Sequence, residues 1–285
     1  MAKKKSSGYQ SYVASAKKAA KALGTPAATS AYKIEVRFLG GLTTSQKNAF
    51  KAAADRWTKV IVGDLPSVQV DGEIVDDLLI LAQGVDIDGP GGILGQAGPT
   101  HLRPASAGKA AFLPVKGIMS FDTADLAQMQ SSGTLKDVIT HEMGHVIGVG
   151  TIWSDKGKLK GAGTSNPRFT GKTAKKEYGK LKHSAAADVP VENAGGPGTR
   201  DAHWRESVFR NELMSGFIAA PNNPLSRMTV GSLKDVGYKV DLKKAESYSL
   251  PNLLALAASG AVTTHTRPHA LPVIPITLPD SSLVK

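Results

Sequence analysis

The chain has 285 residues, no cysteine and a formal net charge of +11. Its length supports a sizeable core in one domain or two subdomains. The missing thiols exclude disulfides, thiolate metal ligands and any cysteine-based latency device. No apolar run approaches the ~18 residues that a spanning helix needs, so no membrane span is expected.

The N-terminus, Met1-Ala2-Lys3-Lys4-Lys5, has a basic start with no apolar stretch behind it. No secretory signal is read there. The expected location is the cytoplasm by default, with non-classical export left open. Positive charge is gathered in two blocks. Residues 1–22 carry lysines and no acid, and residues 151–182 carry nine lysines and arginines against Asp155 and Glu177. Such blocks can bind nucleic acid or anionic surfaces. Without a nucleic-acid motif or interleaved aromatics they read as solvated surface, and no nucleic-acid partner is expected.

In chain order, residues 1–30 are rich in Ala, Lys and Ser. They read as a basic arm with a helix around 10–23, ended by Gly24 and Pro26, and dispensable for the fold. Order is expected from Tyr32 to Phe38, where apolar and charged residues alternate as in a half-buried strand. Gly40 and Gly41 make a turn, and Thr43 with Gln46 fits a capping box. A helix follows to about Val62, with Phe50, Ala53, Trp57, Val60 and Ile61 on one face. Short strands are expected near 67–70 and 77–82. Residues 84–104 are rich in Gly and Pro, with an extended piece at Gly92–Gln96. Asp86 and Asp88 read as turn formers, and no calcium is assigned. Another strand covers 117–121.

Next comes Ile139-Thr140-His141-Glu142-Met143-Gly144-His145-Val146-Ile147-Gly148. Residues four apart share one face of a helix, so His141 and His145 can present two imidazoles to one metal ion. Two such ligands at this spacing suit zinc. Glu142 stands beside the first ligand, in the position of a general base. The bland alternative is the polar face of a solvated helix. Val138, Ile139, Met143, Val146 and Ile147 argue for burial instead, where unpaired polar groups are costly. Thr134 is expected to cap this helix, with Asp137 near its positive end. Gly148 can take a left-handed conformation and end it.

Beyond Gly150 a long polar insertion reaches Arg200, and loops of that length are commonly functional. A catalytic zinc site with an open position wants a third protein ligand. His183 reads as surface, His265 and His269 fall in a proline-rich tail, and His101 precedes the helix on a Gly- and Pro-rich stretch. His203 remains as the candidate, with Glu206 or Glu212 as alternatives. A short helix is expected at 230–236 and an apolar segment at 250–261. Residues 262–285, with Pro268, Pro272, Pro275 and Pro279, read as an extended tail.

The helix motif His-Glu-x-x-His-x-x-Gly is the metzincin pattern. Most metzincins place a third His three residues after the glycine, where this chain has Thr151. The long insertion, then His203-Trp204-Arg205-Glu206 and Asn211-Glu212-Leu213-Met214, resembles the leishmanolysin family of zinc metallopeptidases, and more closely its bacterial relatives. The likeness runs from about Tyr32 to Asp241. By resemblance, one Zn2+ per chain is bound by His141, His145 and His203, Glu142 is the base, and Met214 forms the Met-turn beneath the metal. In metzincins the substrate lies extended along a sheet edge, in the manner of strand addition. The piece containing Gly95, Gln96 and Ala97 is the candidate edge, because small residues let a backbone approach.

The expected fold is α+β and metzincin-like, with a mixed twisted sheet and two long helices in the N-terminal subdomain and an irregular C-terminal subdomain. The expected boundaries are an arm at 1–30, the zinc-helix subdomain at 31–150, a C-terminal subdomain at 151–245 and a tail at 246–285. The expected function is a zinc-dependent metalloendopeptidase that hydrolyses polypeptides through a zinc-bound water, with a Glu base. The alternative is a non-catalytic, metal-stapled binding protein with basic surfaces. Retention of Glu142 argues against it, since a structural site needs no base.

Overall fold

Alternation sets the first long strand of the sheet. In β2 (Lys33–Gly40) Ile34, Val36 and Phe38 point inward and are buried, while Lys33, Glu35 and Arg37 point outward. Arg37 pairs with Glu73 at 3.0 Å and with Glu35 at 3.1 Å. A computed structural model describes residues 8–16, 31–218, 220–252 and 269–284 of the chain.

The main sheet also contains β1 (Gln10–Ser15), β5 (Leu78–Val85), β6 (Ile93–Leu102), β7 (Pro114–Asp122), β11 (His269–Leu271) and β12 (Ile276–Thr277). The order is β1-β2-β5-β7-β6-β11, with β12 also paired to β6. Strands β2, β5 and β7 run parallel, and β6 runs antiparallel to β7. Helices α1 (Thr44–Val60) and α3 (Leu135–Ile147) pack against each other over this sheet. Between β7 and α3 lies α2 (Thr123–Ser132). The result is the mixed α+β architecture expected from the sequence.

Local chemistry explains α1. Thr43 Oγ1 accepts from the Gln46 amide at 3.3 Å, and Gln46 Oε1 accepts from the Thr43 amide at 2.8 Å. The capping box thus satisfies two donors at the helix start. Trp57 on its inner face is fully buried, and its Nε1 donates to the Thr140 carbonyl at 2.9 Å. Phe38, Phe50 and Phe121 meet edge-to-face at 6.1 and 6.0 Å, which joins α1 to the sheet. The opposite sheet face is covered by a hairpin, β3 (Val68–Val70) with β4 (Glu73–Val75). Val68, Val70, Val75, Leu79 and Val115 form a second small core there, with Leu278 and Leu283 packed on it.

The second half is less regular. Two-residue strands β8 (Leu159–Lys160), β9 (Arg168–Phe169) and β10 (Val189–Pro190) form a small antiparallel sheet. Helix α4 (Lys172–Leu181) packs on α6 (Arg227–Val236), and a single turn, α5 (Glu206–Phe209), lies between. The core here is aromatic. Trp153 lies 4.5 Å from Trp204 and 5.0 Å from Phe169 between ring centroids. Among the described residues, no helix is long and apolar enough to cross a membrane.

Several expectations need correction. Residues 10–15 are a strand, not part of a helix. They pair antiparallel with β2 from Gln10 opposite Phe38 to Ser15 opposite Lys33. Ala14 is buried, and Tyr12 Oη donates to the Asp55 carboxylate at 2.9 and 2.8 Å. Tyr12 and Val13 suit a strand, and pairing along β2 outweighs the helical preference of the alanines and lysines that follow. The extended piece at 92–96 belongs to a ten-residue strand that continues through Pro99. The stretch from 151 to 200 is not one long loop, because it contains α4 and the small sheet. The prolines of 272–284 lie in chain that is extended as expected, and its strand β12 pairs with β6 of the main sheet. The apolar segment expected at 250–261 falls mostly outside the described residues.

Because β1 completes the sheet edge, removal of residues 1–16 is expected to destabilise the fold. The loss should exceed about 2 kcal/mol, since the apolar contacts of Tyr12 and Ala14 disappear together with a row of strand hydrogen bonds. Chemical denaturation checks it. An unchanged midpoint would restore the reading of this stretch as a dispensable arm.

Candidate metal centre

Helix α3 is buried along nearly its whole length, and that burial brings His141, Glu142 and His145 to the floor of a cleft. Its N-terminal residue Thr134 makes no side-chain cap, contrary to expectation. Thr134 Oγ1 pairs with Ser132 Oγ at 2.8 Å, and its carbonyl receives the Asp137 and Val138 amides. Asp137 accepts from Arg56 Nη1 at 3.2 Å and from the Asn223 amide at 3.2 Å, tying the helix start to the second half of the chain. At the other end Gly148 has φ 113°, a conformation that costs glycine little. Its amide donates to Gly144 and His145 carbonyls at 3.1 Å. Thr151, at the position where a short metzincin pattern would carry a His, donates its Oγ1 to the His145 carbonyl at 2.7 Å.

His203 arrives from the second half. The next residue, Trp204, is locked in the aromatic core, and its Nε1 donates to Thr229 Oγ1 at 2.8 Å. The Glu192 amide donates to the His203 carbonyl at 2.8 Å. The ring therefore swings over α3. The three Nε2 atoms lie 3.1 Å (His141–His145), 3.0 Å (His141–His203) and 2.9 Å (His145–His203) apart. All three residues are buried. This is the set that the sequence brought forward, and the fold brings it together.

The other ring nitrogens fix the tautomers. His141 Nδ1 donates to the Leu213 carbonyl at 2.6 Å, His145 Nδ1 to the Val149 carbonyl at 2.9 Å, and His203 Nδ1 to the Thr199 carbonyl at 2.9 Å. A carbonyl only accepts, so each Nδ1 carries the proton. Each Nε2 then turns a lone pair toward the other two. Three converging lone pairs repel unless a cation lies among them. Burial lowers the His141 pKa to about 4, against the opposing pull of the Leu213 carbonyl. Burial and then His141 lower the His145 pKa to about 3. Neutral imidazoles are what a metal requires, and an all-nitrogen set of three suits zinc with an open position. These residues can hold one ion.

Glu142 lies next to the triad. It is buried, its Oε2 has no hydrogen-bond partner among the described residues, and burial raises its pKa to about 8. All four residues line a cavity of about 460 Å³. Met214 is fully buried, with its sulfur against Gly144 of α3. A Cβ at Gly144 would come within 2.7 Å of the Met214 sulfur and 2.8 Å of Trp57, so a side chain here would force Met214 and Trp57 to shift. Residues 213–214 are held by Glu212, whose Oε2 accepts from the Met214 amide at 2.6 Å. Its Oε1 accepts from Ser226 Oγ at 2.6 Å. Glu212, one alternative third ligand, is therefore engaged as a strut and not turned to the triad.

The candidate substrate edge lies in β6. Gly95, Gln96 and Ala97 pair on their inner side with Phe121, Ser120 and Met119 of β7. Ala97 lines the cleft together with Leu94. The outer side of this stretch is paired with β11. Asp88 acts as a turn former, accepting from the Ile93 amide at 3.1 and 3.0 Å.

Gly144, Glu212 and Asp125 were not singled out in these roles from the sequence. Asp125 is a buried acid at the cleft wall, where Oδ1 accepts from the Gly91 amide at 2.8 Å and Oδ2 has no partner among the described residues. A signal for it existed. Asp122 three residues earlier is a helix N-cap, and its first-turn neighbour is Asp125.

No curated protein matches the chain significantly. The model of the leishmanolysin family matches residues 109–257, a stretch that includes the three histidines, Glu142 and Met214. Since that match covers just over half of its length, the chain belongs to the leishmanolysin family, whose members are zinc metallopeptidases.

Proposed function

We propose that this metallopeptidase is a zinc-dependent endopeptidase in which His141, His145 and His203 hold the ion and Glu142 is the general base. The observation that carries the reading is the convergence of three Nε2 atoms within 3.1 Å beside an unpartnered, buried Glu142 oxygen.

When bound, zinc supplies a Lewis acid that acidifies water and polarises a peptide carbonyl. The chain's own groups do the rest. The backbone carbonyls of Leu213, Val149 and Thr199 hold the three rings in one tautomer and orientation. Burial alone favours the protonated acid, and a cation held by the neighbouring histidines would favour the carboxylate; in that form Glu142 takes the proton from the attacking water and delivers it to the leaving amine nitrogen. Gly144 and Glu212 fix the Met214 turn under the rings, so the triad is set before substrate arrives. The cleft runs along β6, whose outer edge is paired with β11 at Gly95 and Gln96.

The direct test is hydrolysis of a denatured protein. Activity is expected from the full chain, should disappear with a zinc chelator, and should return when zinc is added back. Activity that survives complete zinc removal would rule the proposal out.

A further inference from the structure

The outer edge of β6 carries part of the chain itself. β11 runs parallel to β6, with His269 opposite Ile93, Ala270 opposite Gly95 and Leu271 opposite Gln96. Leu271 and Pro272 then line the same cavity as His141, Glu142, His145 and His203. Val273 continues over Gly98, where an added Cβ would lie 2.9 Å from the Val273 Cβ. The segment thus follows the strand edge that an extended substrate would use.

The hold on this segment is uneven. Downstream, β12 pairs with His101 and Leu102, Leu283 bridges Val68, and the Val284 amide donates to the Ser67 carbonyl at 3.0 Å. Leu278 and Leu283 pack into the second core. Upstream, β11 has three paired residues with a register shift after His269. Leu271 remains 47 % exposed and Ile274 89 % exposed. Pro272 has no N–H to offer the edge where the segment passes the triad. Strong anchoring beside weak pairing lets the upstream part leave while the downstream part stays.

We propose that residues 269–272 are an internal ligand of the cleft, an extended segment that a substrate strand must displace from the edge of β6. The proposal rests on the reading of the cleft as a peptidase site. Because the segment is tethered, it competes at an effective concentration on the order of millimolar. Weak substrates would be excluded, and extended chains able to pair along β6 would be admitted.

The chain has no cysteine, so an introduced pair stands alone. Leu271 and Gln96 are register partners on neighbouring strands, within the span of a disulfide. In the full chain carrying Gln96→Cys and Leu271→Cys, oxidation should form an intramolecular disulfide. Binding of a fluorescein-labelled peptide of residues 268–274, read by anisotropy, should weaken at least about tenfold on oxidation and recover with a phosphine reductant. Hydrolysis of a short peptide should follow the same pattern. Separately, Leu271→Asp in the otherwise unaltered chain should lower KM several-fold with little change in kcat. Failure of the disulfide to form, or equal peptide binding by the oxidised and reduced forms, would overturn the proposal. Peptide excluded only by the oxidised form, with no hydrolysis by either form or by the wild type, would instead sink the peptidase reading and leave residues 269–272 as an internal ligand of a peptide-binding cleft.

Discussion

Glu142→Gln is expected to keep the zinc and the fold while losing about 10²–10⁴-fold in kcat/KM, the usual worth of a positioned general base. The substitution keeps the side-chain volume and removes only the ability to take a proton. The buried, unpartnered Oε2 has no structural bond to lose. Stability should therefore hold or rise, because a buried carboxylate is costly to ionise and an amide is not. Metal analysis beside a peptidase assay checks this. If the variant loses zinc as readily as His141→Ala does, Glu142 is a ligand or a prop for one, and the assigned chemistry is wrong.

The second large effect is expected at His203. His203→Ala should weaken zinc binding by more than about 100-fold, beyond the loss seen when a partner of a ligand is changed. Activity should fall to background. The fold should survive, because the neighbouring Trp204 is held by its own aromatic core and by Thr229. Near-ultraviolet circular dichroism of the tryptophans is the control. Full zinc occupancy with unchanged activity in this variant would remove His203 from the centre.

The parts legible in the sequence were those written in local periodicity. The alternation in β2, the Thr43–Gln46 capping box and the burial of α3 each depend on residues within a few positions of one another. The paired histidines of α3 belong to the same class. His203 was reached by setting other histidines aside and by resemblance. Its position depends on Trp153, Phe169, Trp204 and Phe209 meeting from distant parts of the chain, which no local pattern displays.

What was missed is non-local. β1 is six residues long beside an Ala- and Lys-rich stretch, and its partner strand begins 18 residues beyond its last residue. Helix α2 has only Leu126 fully buried among its apolar residues, so its stripe is faint, although Asp122 and Gly133 cap both ends. Pro99 discouraged a long strand at β6. Proline is tolerated at positions that need not donate to a neighbouring strand. β11 and β12 are three and two residues long and find their partner more than 170 residues earlier in the chain, a pairing that local pattern does not encode.

Every proposed step depends on one zinc ion among three histidines next to Glu142. Anomalous scattering at the zinc absorption edge, measured on crystals of the full chain, tests it most directly. One strong peak per chain is expected, about 2.0–2.1 Å from Nε2 of His141, His145 and His203. A zinc peak at another place in the chain, or one bonded to Glu206 or Glu212 in place of His203, would contradict it.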